Sequence, residues 1–201
     1  MSAPPRTAPS SSPPRRGREL VLAAATALFH ERGYDATSMS DIADRLGVTK
    51  AALYRHVKSK AELLHAVTAP VRTTVLALLP AGATADGRHV DTLAALLRGL
   101  AGAAAMDPPR HALFWGAHGM RSQDGPDAVC REAVFRRLAE LLEHAAAQGD
   151  VRADIEPRLA ARLLLGAVVA GGLPDGPRVA PDSVVGLLLD GPVRAALAGV
   201  P

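Results

Sequence analysis

Apolar residues recur along this chain with the spacing of amphipathic α-helices rather than that of strands. The predicted helices cover residues 17–32, 39–46, 50–57, 59–78, 89–105, 110–120, 127–148, 156–173 and 182–190. Segments rich in Gly and Pro separate the later helices. The expected fold class is therefore all-α, with about nine helices and no strand.

The segment 37–60 carries the densest helix signals. Ser38 is followed three residues later by Asp41, which is the spacing of a capping box at a helix start. Gly47 supplies the left-handed conformation that ends a helix, and Thr49 can cap the next one. Two short helices joined by a glycine turn are typical of a helix-turn-helix, whose second helix enters the major groove of DNA.

Helices are also predicted on both sides of this segment. The preceding helix has an apolar face that we expect to be buried, formed by Val21, Ala24, Ala25, Leu28 and Phe29. The following helix opens at a second capping box, Ser59 with Glu62, and contains Pro70. Because a proline inside a helix costs about 3 kcal/mol, we expect a kink or break near Val67. This joint would separate a helix-turn-helix domain over 17–66 from a helical domain over 67–201.

The charge distribution favours a nucleic acid as partner of the first domain. The chain has 201 residues and a formal net charge of +3, yet residues 1–65 hold 10 Lys and Arg against 6 Asp and Glu. No acidic residue lies between Asp44 and Glu62, where the chain's three lysines, Lys50, Lys58 and Lys60, are all found. A basic head on a nearly neutral remainder suits double-stranded DNA at one end.

Four sequence segments resemble the N-terminal domain of the TetR family of bacterial transcription regulators. They are 29–34 (FHERGY), 41–43 (DIA), 46–48 (LGV) and 53–60 (LYRHVKSK), and the resemblance covers about residues 18–66. It implies an all-helical dimeric regulator, more often a repressor than an activator, which a small molecule releases from its operator. The operator would be palindromic, because each subunit of a two-fold dimer reads one half-site.

The resemblance also implies roles for individual residues. Lys50, Ala51 and Ala52 would face bases, while Tyr54, His56 and Lys60 would hold phosphates. Because the two alanines are small, base reading would depend on thymine methyl groups and on Lys50 or Arg55. The complete set of DNA-contacting candidates is Ser38, Ser40, Thr49, Lys50, Ala51, Ala52, Tyr54, Arg55, His56 and Lys60.

The predicted helix over 156–173 is apolar on more than one side, so it must be buried against more than one neighbour. Leu159, Leu163 and Gly166 lie on one face, and small residues there let two backbones approach closely. The predicted helix over 182–190 has a similar excess of apolar residues. We therefore expect a homodimer formed through these two helices, with an ordinary monomer core as the alternative.

The second domain holds a candidate ligand site. Phe114 and Trp115 sit together in a chain that is only 3% aromatic, flanked by His111 and His118. In proteins of the family, helices of this region enclose a pocket, so the candidate ligand-binding residues are Leu96, Leu100, His111, Phe114, Trp115 and His118. No cluster of charged residues is visible in the sequence near this pair, which favours an apolar or weakly polar effector; an aromatic pair in the core is the alternative.

Other classes of protein are disfavoured. The chain lacks the phosphate-binding, zinc-protease and serine-hydrolase motifs, so an enzyme, a catalytic residue and a cofactor are not expected. Cys130 is the single cysteine, and the histidines show no metal-site spacing.

Residues 1–16 are rich in Pro and Ser and are expected to be a disordered arm without a signal peptide. The longest apolar stretch, 163–173, is too short to span a membrane, so we expect a soluble cytoplasmic protein. A non-specific architectural DNA-binding protein is the main alternative function.

Overall fold

A computed structural model describes residues 14–79, 87–116, 125–151, 153–154 and 156–170. Within these ranges the chain forms eight α-helices and no strand, which confirms the predicted all-α class. The helices are α1 (Pro14–Arg32), α2 (Met39–Leu46), α3 (Lys50–Tyr54), α4 (Lys60–Leu78), α5 (His89–Met106), α6 (Pro108–Trp115), α7 (Pro126–Ala147) and α8 (Pro157–Ala170). The ninth predicted helix, over 182–190, lies outside the described residues, as does His118.

Contacts within the chain divide it into two units, Met1–Ala66 and Val67–Pro201, and the boundary falls inside α4. In the first unit, apolar faces of α1, α2, α3 and the start of α4 meet in a small core. Its most deeply buried members are Ala25, Leu28, Phe29, Ile42, Leu53, Val57 and Leu63. The rings of Phe29 and Tyr34 lie 5.2 Å apart, so Tyr34 closes the end of α1 against this core. Of the five predicted α1 core residues, only Ala24 remains partly exposed.

The second unit is built around α5, α7 and α8, which pack against one another. Leucines of α5 at the predicted positions 93, 96, 97 and 100 are all buried. Val134, Leu138 and Leu141 of α7 and Leu164, Leu165 and Val168 of α8 complete the same core. Val71 and Val75 of α4 also belong to it, so the second half of α4 is part of this unit.

We predicted a kink or break near Val67, and the break does not occur, because α4 is helical from Lys60 to Leu78 with Pro70 inside it. Pro70 lies on the exposed side, whereas Val67, Val71 and Val75 form a buried stripe on the other. Burying a valine contributes roughly 1.5–3 kcal/mol, so three such residues outweigh the proline cost of about 3 kcal/mol. Tertiary burial has therefore overridden local helix propensity.

Among the described residues, four helix ends lie more than one residue from their predicted positions, and one of them is the end of α6 at Trp115 instead of residue 120. Helix α1 begins at Pro14, so residues 14–16 are helical and do not belong to the predicted arm. Helix α3 ends at Tyr54, three residues early, since the N–H of His56 bonds the carbonyl of Leu53 in a tighter turn. Helix α6 begins at Pro108 because proline is favourable in the first turn, where its missing N–H is not needed, and Asp107 caps it. Residues 1–13 of the predicted arm lie outside the described residues.

Candidate nucleic-acid interface and ligand cavity

Two caps and a glycine turn fix the geometry of α2 and α3. The Ser38 N–H donates to Asp41 Oδ2 over 2.7 Å, and the Asp41 N–H donates to Ser38 Oγ over 3.1 Å, so the predicted capping box is confirmed. Gly47 ends α2 with φ of 64°, in the left-handed region that favours glycine. Thr49 Oγ1 accepts the N–H of Ala52 at 3.2 Å and so caps α3. These local bonds set the angle at which α3 leaves the turn.

Helix α3 is anchored on one side and exposed on the other. Leu53 is fully buried, and Val57, just beyond the helix, is 1% exposed. Lys50, Ala51, Tyr54 and Arg55 are exposed, while Ala52 and His56 are half-buried. The structure thus brings most of the predicted base-facing and phosphate-holding residues to one surface, which we term the α3 surface (Lys50, Ala51, Ala52, Tyr54, Arg55).

The remaining candidates lie outside the α3 surface, and their side chains differ in how far they are already bonded within the protein. Ser38 and Thr49 use their hydroxyl groups as caps, and Ser40 is exposed in the first turn of α2. Lys60 Nζ lies 3.3 Å from the carbonyl oxygen of Asp35 and 4.2 Å from the centre of the Tyr34 ring. The ammonium group is therefore oriented by the loop after α1, although its side chain is still partly exposed.

Two contacts in this unit were not anticipated from the sequence. A Cβ at Gly17 would lie 3.2 Å from Cε1 of His56, so α1 approaches this histidine closely and limits where its ring can go. Arg45 forms a two-pronged hydrogen bond with Glu31 at 3.1 and 3.3 Å, and this bond lowers the pKa of the Glu31 carboxyl. Arg45 therefore joins α2 to α1 through this ion pair, so its positive charge already has a partner in the protein and does not require a DNA phosphate.

The predicted ligand residues are mostly core residues. Leu96, Leu100, His111 and Phe114 are at most 4% exposed, and the Phe114 ring meets that of Trp115 edge-on at 4.8 Å. Of the described candidates, only Trp115 lines the cavity found in this unit. Phe114 and Trp115 both belong to the hydrophobic core of this unit.

The cavity lies between the end of α6, the first half of α7 and α8, and its volume is about 860 Å³. Its apolar lining includes Trp115, Phe135, Leu165 and Val169. Its charged lining consists of Arg131, Glu132, Arg136, Arg158 and Arg162. Four arginines from two helices therefore meet around one space, a charged cluster that is not visible in the sequence near Trp115.

A polar network joins α4 to α7 beside the core. Asp127 is 5% exposed; its Oδ2 accepts the Thr68 hydroxyl at 2.7 Å, and its Oδ1 pairs with the guanidinium of Arg72. Arg131, also 5% exposed, donates from Nη1 to the carbonyl oxygen of Phe114 at 3.2 Å. Burial lowers the pKa of Arg131 despite the nearby Asp127, and the group remains a cation at neutral pH.

Sequence reasoning missed this network, although one signal was present. Thr68 and Arg72 are one turn apart on α4 and lie directly beside the buried valine stripe. Polar groups on a buried face require partners, so their presence alone implied an acceptor elsewhere in the chain. The sequence offered no way to select Asp127 as that acceptor, because it is 59 residues from Thr68.

Two further groups show shifted pKa values because they are buried. Burial lowers the pKa of His111, with Asp107 opposing the shift, so the imidazole is neutral at pH 7. Burial, assisted by Asp127, raises the pKa of the Cys130 thiol to about 11. Among the residues that the structure describes, no group of three or more side chains could hold a metal ion, and no helix is long and apolar enough to cross a membrane.

Comparisons of the sequence place the first unit among known regulators. Residues 21–67 match the family described as "Bacterial regulatory proteins, tetR family". The HTH-type transcriptional activator FasR of Mycolicibacterium smegmatis is 53% identical over 53 residues, or 26% of this chain and 23% of FasR. This matched stretch therefore spans about a quarter of the relative's length.

Comparisons of the structure extend over both units. A TetR-family regulator from Streptomyces coelicolor A3, SCO3833, is similar with a TM-score of 0.73 and 28% identity, covering 92% of each chain. AibR, solved in complex with isovaleryl coenzyme A and operator DNA, has a TM-score of 0.67 and 25% identity. That match covers 86% of this chain and 97% of the AibR chain.

Proposed function

This chain belongs to the TetR family of bacterial transcription regulators, and we propose that it is a ligand-responsive repressor that binds a palindromic operator as a homodimer. Repression is proposed because it is the more frequent outcome in the family, although FasR carries the name of an activator. Its relatives are transcription regulators and not enzymes.

The observation that carries this proposal is the α3 surface. Leu53 is fully buried and fixes α3 from behind, while Lys50, Tyr54 and Arg55 are exposed together in a stretch without acidic residues. Lys50 is the first residue of α3, where the helix macrodipole disfavours a cation by roughly 0.3–1 kcal/mol. A phosphate or a guanine edge in front of α3 would offset that cost.

Within this proposal the residues divide into two groups. Lys50, Ala51, Ala52 and Arg55 read bases, with the alanines contacting thymine methyl groups. Phosphate contacts come from polar groups at the helix starts and from side chains at the end of α3 and beyond it, namely Ser38, Ser40, Thr49, Tyr54, His56 and Lys60. Contacts of the second group position the protein without reading sequence.

The homodimer is supported by the exposed side of α8. Leu159 is 52% exposed and Leu163 is 63% exposed, and Gly166 continues the same stripe. Large apolar side chains that are exposed in a row are typical of a surface that another subunit covers. The proposed partner surface of 182–190 lies outside the described residues.

A small-molecule effector is supported by the cavity and by AibR, whose structure holds both isovaleryl coenzyme A and operator DNA. An effector acts on DNA binding only if it prefers one protein conformation over another. A coupling of about 1–3 kcal/mol would lower operator affinity roughly 5- to 150-fold. Helix α4 is the covalent route for this coupling, because it begins in the first unit and ends in the second.

Selection of bound fragments from random DNA tests this function against the alternative, a non-specific architectural protein. A specific regulator enriches a consensus with two inverted half-sites. An architectural protein enriches no consensus, and that outcome would overturn the proposed function.

A further inference from the structure

We propose that the cavity between α6, α7 and α8 binds a small amphipathic anion, with an apolar tail inside and a phosphate or carboxylate head at the arginines. This inference rests on the proposed function, since it assigns the chemistry of the effector. It departs from the sequence-based expectation of an apolar or weakly polar ligand.

The size of the cavity suits a small molecule. Its volume of about 860 Å³ falls within the roughly 300–1,000 Å³ that is usual for ligand sites. Such sites combine an apolar lining with a few polar groups that orient the ligand. Both kinds of lining are present here, and they occupy different depths.

The inner part of the cavity is apolar. Trp115 is 6% exposed and Leu165 is 3% exposed, and both line the cavity while belonging to the core of the second unit. Phe135 and Val169 add to the same lining. A hydrocarbon tail against these side chains would be removed from water, at about 0.8 kcal/mol for each buried methylene.

The outer part of the cavity is cationic. Side chains of Arg136 and Arg158 are 68% and 66% exposed, and Arg162 is exposed as well. Among the described residues that line the whole cavity, Glu132 is the single acidic one beside four arginines, including the buried Arg131, which gives this lining a formal charge of +3. Its ion pair with Arg158, at 3.6 Å between exposed groups, offsets little of that charge.

These arginines favour a ligand with a negatively charged head. Guanidinium groups bind carboxylate and phosphate through pairs of parallel hydrogen bonds. Arg136 lies on α7, whereas Arg158 and Arg162 lie on successive turns of α8, and all three line the same cavity, so we expect one anionic head to be bound from both helices. Arg131 lies deeper. It donates a hydrogen bond to the Phe114 carbonyl, and its Cζ lies 5.6 Å from the centre of the Phe114 ring, so its guanidinium is fixed beside the apolar part of the cavity.

The cavity opens next to the face proposed for dimerisation. Gly166 lines the cavity and also continues the exposed stripe of Leu159 and Leu163. A ligand head held by Arg158 and Arg162 would therefore lie on the helix that the partner subunit covers. This position provides a physical link between effector binding and the spacing of two subunits.

Fluorescence of Trp115, the only tryptophan, tests the site on the intact protein. The probes are decyl phosphate, decanoate and decanol, each titrated below its critical micelle concentration at low salt. We expect both anions to shift the emission with an affinity at least about tenfold above that of decanol, as one charge-assisted contact provides. The two anions distinguish a phosphate head from a carboxylate head.

Two variants test whether the arginines cause the preference for anions over decanol. Arg136→Gln and Arg162→Gln should each weaken anion binding about tenfold and leave decanol binding unchanged. Arg137→Gln is the matched control, because Arg137 follows Arg136 on the same helix but does not line the cavity. Circular dichroism confirms that each variant is folded.

Equal affinity for decanol and the anions, or no response to any probe, would overturn this inference. So would anion binding that Arg136→Gln and Arg162→Gln leave intact. Operator binding is measured on the same samples, so the two proposals can fail separately. Anion binding that depends on the arginines but does not alter operator affinity supports the site and contradicts its role as the effector site.

Discussion

The hydroxyl of Thr68 donates a hydrogen bond of 2.7 Å to Asp127, and Arg72 pairs with the other oxygen of the same carboxylate. Asp127 is 5% exposed and lies in the first turn of α7, where a negative charge is favourable. The carboxylate therefore has a hydroxyl, a guanidinium and a helix terminus around it. Through this one group, α4 is fixed to α7 beside Cys130, whose thiol contacts the Arg72 carbonyl at 4.0 Å.

Removing the charge of Asp127 should destabilise the protein strongly. Asp127→Asn leaves the half-buried guanidinium of Arg72 without its carboxylate, and breaking such a pair costs about 3 kcal/mol. Thr68→Val removes one hydrogen bond to a charged group and should cost about 1.5 kcal/mol. Urea denaturation measures both, and the double variant should lose less than the sum of the single effects. Strict additivity would show that the three side chains do not form one network.

Cys130 should be unreactive and should make stability depend on alkaline pH. Its pKa is about 11 in the folded chain and about 8.5 when unfolded, so the folded state retains the proton to higher pH. Stability is then complete below about pH 8.5 and is lost as pH rises towards 11, by on the order of 3 kcal/mol.

Urea midpoints measured between pH 8 and 10.5 should fall more steeply for the natural protein than for Cys130→Ala. The quantity to compare is the change of the urea midpoint with pH, because Cys130→Ala also alters packing and so shifts the midpoint at every pH. Rapid labelling of the native protein by a thiol reagent at pH 8 would show that the thiol is neither buried nor shifted.

Gly166→Leu should abolish the dimer without unfolding the subunit. Among the residues that the structure describes, a Cβ at this position meets nothing within 4 Å, so a leucine there is accommodated by them and is expected to clash with the partner subunit. Gly102→Leu is the matched control, since Gly102 is also helical and open, but lies on α5. Sedimentation should give a monomer for Gly166→Leu and a dimer for Gly102→Leu. A monomer for the unchanged protein at micromolar concentration would refute the proposed homodimer.

The first unit was predictable because its signals are local. The Ser38 cap, the Gly47 turn and the Thr49 cap each act within four residues, and each lies where the sequence places it. Pro70 shows the limit of local signals, since its effect was overridden by burial of the valines around it.

The cavity depends on contacts between distant residues, so its chemistry was not predictable. Arg136 and Arg162 are 26 positions apart in the sequence, and each separately resembles an ordinary solvated arginine on a helix. Only the packing of α8 against α7 brings them to one space. Trp115 was identified because aromatic residues are rare in this chain, whereas Leu96 and Leu100 were chosen because the family resemblance implies a pocket there, and both are buried in the core.

Substitutions on the α3 surface should separate base reading from phosphate binding. Tyr54→Phe removes only a hydroxyl and should weaken all sequences by about tenfold. Lys60→Gln should weaken all sequences and reduce the salt dependence by about one counterion. Lys58→Gln, which is exposed but outside the proposed contacts, is the control.

Binding of Lys50→Gln to the selected operator and to a scrambled duplex tests whether α3 reads a specific sequence. Fluorescence anisotropy at fixed salt gives both affinities. For the unchanged protein we predict a preference for the operator of at least about 1,000-fold, and for Lys50→Gln a preference reduced by about 1–3 kcal/mol at the guanine or thymine it faces. Equal loss of affinity on both duplexes would show that Lys50 holds a phosphate, and an unchanged preference would show that α3 does not read the operator.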